Sequence, residues 1–83
     1  MSRRLEWRER FNVHTLLITP SIQLQLVVNW LGDEGSWRIS FLGSVRVRHG
    51  MSLDQAKAEA LRFAELILST ALATVREQMQ PPQ

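Results

Sequence analysis

The stretch Trp37-Arg-Ile-Ser-Phe-Leu-Gly43-Ser-Val-Arg-Val-Arg48-His-Gly50-Met-Ser52-Leu-Asp-Gln55 decides the fold. Trp37, Ile39 and Phe41 alternate with Arg38, Ser40 and Leu42, the period of a half-buried strand over about 37–42. Gly43-Ser44 reads as a tight turn. Val45 and Val47 then take the inward phase and Arg46 and Arg48 the outward one, a short strand over 45–49 ended by Gly50. Ser52-Leu-Asp-Gln55 is a capping box, in which the Ser hydroxyl accepts from an unpaired amide and Gln55 reaches back. Asp54 puts negative charge where the helix dipole favours it. No Gly or Pro interrupts Leu53 to Met79, which predicts one helix over 53–79, about 40 Å long. Pro81-Pro82 stops it, leaving 80–83 as a tail.

Upstream, Ile22, Leu24, Leu26, Val28 and Trp30 alternate with Gln23, Gln25, Val27 and Asn29, a second clear strand over 22–30. Gly32-Asp-Glu-Gly-Ser36 is the turn that follows it. Earlier still, Leu5, Trp7, Phe11 and Val13 alternate with Arg8, Arg10 and Asn12, a strand over 5–14 whose inner face Glu9 interrupts. Residues 15–20 continue extended or bend, and Pro20-Ser21 marks a turn. Successive hairpins make an antiparallel meander the simplest sheet. The expectation is an α+β fold: a three- to four-stranded antiparallel β-meander followed by one long C-terminal helix on one sheet face, as a single domain over 1–83.

Length sets further bounds. With 83 residues, there is room for one small domain. The absence of cysteine removes disulfides and thiolate zinc as staples, so extra core must come from the helix or from a second copy of the chain. No apolar run reaches the roughly 20 residues of a membrane span, and Met1 to Arg10 is not a signal sequence. A soluble cytoplasmic protein without a membrane partner is expected.

The helix predicts a partner. Its apolar residues form two adjacent stripes, one with Leu53, Ala56, Ala60, Phe63, Ile67 and Ala71, the other with Leu61, Ala64, Leu68, Leu72, Val75 and Met79. One sheet needs a stripe only about 100° wide. Four strands make a sheet about 20 Å across, so a 40 Å helix overhangs it. The second stripe is therefore covered by a second copy, as a homodimer interface of Leu61, Leu68, Leu72, Val75 and Met79, or by residues 14–20 folding back.

No catalytic constellation is legible. His14 and His49 lack metal-ligand spacing and read as surface residues, Asp33 and Glu34 sit in a Gly-flanked turn, and Ser52 is a cap. Nucleotide-binding glycine motifs and zinc-protease motifs are absent. The reading is a non-enzymatic chain with no cofactor, metal or small-molecule substrate.

Charge is uneven: residues 1–50 hold seven Arg against four acids, whereas 51–83 hold three cations against four acids. The outward phase collects Arg8, Arg10, Arg38, Arg46 and Arg48 among Asn12, His14, Gln23, Gln25, Asn29 and Ser40. Arg suits bidentate phosphate contact, and interspersed amides reach base edges. Trp7, Trp30, Trp37, Phe11 and Phe41 all fall on the inward phase, which favours a core over a base-stacking platform.

Trp30-x6-Trp37-Arg-Ile-Ser-Phe-Leu-Gly43, with Ser52-Leu-Asp-Gln-Ala-Lys57 and Ala60-x2-Phe63-Ala64, resembles small phage, prophage and plasmid proteins over about residues 28–65. The resemblance implies a mobile-element origin and no defined activity. The element order is also similar to the later part of double-stranded-RNA-binding domains. Their basic helix start is missing, however, with only Lys57 between Asp54 and Glu59. The expected function is a homodimer binding DNA or RNA through Arg8, Arg10, Arg38, Arg46 and Arg48. The alternative is an inhibitor or adaptor that binds a host protein complex, such as an anti-defence protein.

Overall fold

In a computed structural model describing residues 5–28 and 35–80, five strands precede one helix. They are β1 (Trp7–Arg10), β2 (Val13–Thr19), β3 (Ile22–Val28), β4 (Trp37–Phe41), β5 (Ser44–Arg48) and α1 (Leu53–Met79). The strands pair antiparallel in the order β1-β2-β3-β4-β5, so the sheet is a meander and the fold is α+β. The expected helix bounds hold. Ser52 Oγ accepts from the Gln55 amide at 3.2 Å, and Gln55 Oε1 accepts from the Ser52 amide at 2.9 Å. Gln80 leaves the helix in an extended conformation, as the residue before a proline prefers.

One more strand is present than the sequence pattern predicts. The expected strand over 5–14 is two, β1 and β2, joined by the two-residue turn Phe11-Asn12. Arg10 pairs with Val13 across it, and Phe11 has φ 56°. The two-residue turn swaps the phase: Trp7 shares the core side with Leu16, while Val13, expected on the inward phase, pairs with Arg10 on the other side. Because Phe11 and Val13 extend the odd-numbered apolar series, the periodicity hides the reversal. Phe11 consequently stands 86% exposed at the hairpin tip instead of in the core. Residues 29 and 30, which complete the expected second strand and include Trp30, lie outside the described residues.

The helix-facing side of the sheet is set by register. Leu24 pairs with Phe41, and Leu26 with Ile39; Leu16 and His14 sit opposite Leu24 and Leu26. These pairs share a face because side chains alternate along each strand. The core consists of Leu16, Leu24, Leu26, Trp37, Ile39 and Phe41 from the sheet and Ala56, Ala60, Phe63 and Ala64 from the helix. Three alanines let the helix axis approach the sheet closely, and Phe63 fills the space beside them. Trp7, Ile18, Ile22, Val28, Met51 and Ile67 pack around this centre. Trp37 is buried, as its phase predicts, and its indole N–H donates to the Met51 carbonyl at 3.0 Å.

The expected overhang is present. Every residue of α1 from Leu68 onward is exposed. Residues 14–20 do not fold back over the second stripe: they form most of β2, and only Ile18 borders it.

Candidate nucleic-acid interface

The open side of the sheet carries two rows of side chains running across the strands. One row is Arg8, Thr15, Gln25, Ser40 and Val45; the next is Arg10, Val13, Val27, Arg38 and Val47. Leu17 and Gln23 form the start of a third. The described helix lies on the opposite side, against Leu24, Leu26, Ile39 and Phe41.

Of the five expected arginines, this face holds three, Arg8, Arg10 and Arg38. Arg8 and Arg10 are exposed on β1, and Arg38 is half-buried on β4. Arg46 and Arg48 stand on the other side. Arg46 pairs with Ile39 and Arg48 with Trp37, both core residues. Arg46 Nη1 lies 3.3 Å and Arg48 Nε 3.5 Å from Glu59 Oε1 on the helix. The Arg46 guanidinium also caps the Phe63 ring, 4.7 Å from its centroid.

The turn explains the reversal. Leu42-Gly43 forms the two-residue connection, with φ 48° and 83° as in a type I′ hairpin, and Phe41 pairs with Ser44. Across a two-residue turn the core-facing positions switch from odd to even numbers, so the phase expected to run on from Phe41 to Val45 is inverted along all of β5. Val45 and Val47 are thus brought to the open face, and Arg46 and Arg48 become a clamp on the helix.

His14, expected on the surface, is buried on the helix side, with Nδ1 3.9 Å from Glu9 Oε2. Glu9 is the sole acid within the five strands, and it faces away from the arginine rows. The open face therefore combines guanidinium groups with hydroxyl, amide and aliphatic side chains and has no strand carboxylate. A concavity of about 280 Å³ lies beside its polar row, lined by Gln23, Gln25, Ser40 and Leu42 among others. The Ser40 hydroxyl is buried there without a hydrogen-bond partner.

Phe11 is the residue that sequence reasoning placed elsewhere. It projects from the β1–β2 tip, with the Arg10 guanidinium 5.9 Å from its ring centroid. The signal available for it was Asn12, a turn-forming residue inside an otherwise apolar-alternating run.

Among the described residues, no group of three or more His, Cys, Asp or Glu is placed to hold a metal ion. No described helix is long and apolar enough to cross a membrane. Comparison with known protein families, curated proteins and solved structures finds no match.

Proposed function

We propose that the chain is a non-enzymatic nucleic-acid-binding protein of a mobile genetic element, working as a homodimer whose open sheet face meets the phosphate backbone. The supporting observation is that Arg8 and Arg10 stand exposed on a face whose strands present no acid, with Arg38 on the same face. Arginine forks match phosphate geometry, and neighbouring Thr15 and Gln25 supply polar groups for sugar and base edges. Phe11, beside Arg10 and clear of the core, offers one ring for stacking or for wedging at a base step.

Most of these contacts go to phosphate, so affinity is set by salt more than by sequence. The test is a fluorescence titration of labelled duplex and single-stranded oligonucleotides between about 50 and 200 mM salt. Micromolar binding that weakens steeply across that range supports the reading. Absence of binding at about 50 mM salt overturns it. The valines on the same face, Val13, Val27, Val45 and Val47, then favour a protein partner and an inhibitor or adaptor role.

A further inference from the structure

We infer that the helix overhang pairs with a second copy of this chain in one antiparallel register, centred at the level of Thr70, with Glu65 of each copy meeting Arg76 of the other. This deepens the homodimer proposed above and rests on it.

Residues 61, 65, 68, 72, 75 and 79 are spaced four, three, four, three and four apart, the a and d positions of a heptad seam. Five of them are Leu61, Leu68, Leu72, Val75 and Met79, exposed by 45, 38, 50, 53 and 76%. A strict seam of this kind suits a partner helix better than a sheet. Ile18, Leu61, Ala64, Leu68 and Leu72 already line a groove of about 340 Å³ beside the helix. Val75 and Met79 of the second copy would fill it.

The sixth seam position is Glu65, and it selects the direction. A parallel pair sets Glu65 against its own copy inside the seam, two like charges in apolar surroundings. An antiparallel pair separates them. The seam is also symmetric about residue 70: Leu61 then lies opposite Met79, Leu68 opposite Leu72, and Glu65 opposite Val75 with Arg76 adjacent. Within one chain, Glu65 and Arg76 are about 16 Å apart along the helix and cannot pair.

This arrangement bears on the open face. The seam lies about 125° around the helix from the mean direction of the core-facing Ala60, Phe63 and Ile67. The two-fold axis of an antiparallel pair runs perpendicular to both helices, so both sheets fall on the same side of the pair. Their arginine rows look in one direction, about 30 Å apart along the helices. That is close to one turn of duplex DNA, about 34 Å.

The absence of cysteine makes the test direct. Leu61→Cys and Met79→Cys chains, mixed in equal amounts and oxidised, should form the mixed disulfide in excess. Glu65→Arg and Arg76→Glu should each lower the dimer fraction in sedimentation, and the double variant should restore it. These positions are exposed, so circular dichroism should show the fold retained in every variant. Disulfides only between identical chains, or no rescue by the double variant, overturns the register while leaving a homodimer. A wild-type monomer at tens of micromolar overturns the homodimer as well. Oligonucleotide binding by that monomer would show that the face reading survives alone.

Discussion

Phe11 and Leu42 hold the first positions of two tight turns at φ 56° and 48°, a conformation bulky side chains rarely adopt. Both side chains are exposed, so no core packing offsets the strain. Leu42→Asn creates an Asn-Gly hairpin and is predicted to stabilise the fold by about 0.5–1 kcal/mol in urea denaturation. Phe11→Asn should give a similar gain while weakening oligonucleotide binding, which separates a functional ring from a neutral one. Arg46 belongs to the fold: Arg46→Ala loses Glu59 and the Phe63 ring and is predicted to cost about 1 kcal/mol, a value limited by partial exposure of the pair. Its phase was illegible because Val45-Arg-Val-Arg48 alternates equally well on either face. Only the turn register chooses between them, and Leu42 is an unusual residue for a type I′ turn.

Among the elements, the helix was the most legible. A capping box, 27 residues free of Gly and Pro, and a terminal Pro pair each act locally, and all agree on the same bounds. β3 and β4 were legible through long alternating runs with β-branched and aromatic residues. The β1–β2 hairpin was not, because Phe11 at its turn and Val13 on the open face extend the odd-numbered apolar series across the reversal. Trp37, correctly assigned to the core, is predicted to cost on the order of 3–5 kcal/mol when replaced by Ala. Leu72→Glu with Val75→Glu probes the other helix face. Both side chains are about half exposed in the single chain, so the monomer fold should persist while the sedimentation mass falls to that of one chain.

At the scale of the whole molecule, a radius of gyration of 15.2 Å exceeds the roughly 12 Å of a compact domain this long. The excess comes from the overhanging helix, which carries the apolar seam to one end of a body 54 Å long. The sheet's arginine side and the helix seam are thus distinct surfaces, and a phosphate contact and a self-contact need not compete. The face could be read from sequence as basic, but its membership depended on the lengths of the hairpin turns, which set the phase of each strand. The most direct test compares two double variants in a salt titration of a duplex of about 20 base pairs. Arg8→Ser with Arg10→Ser should weaken binding and flatten the slope of log K against log salt by about two units, one for each lost phosphate contact. Arg46→Ser with Arg48→Ser should lower stability and leave the slope near that of the unaltered chain. An unchanged slope in the first variant and a flattened one in the second would contradict the assignment of the open sheet face.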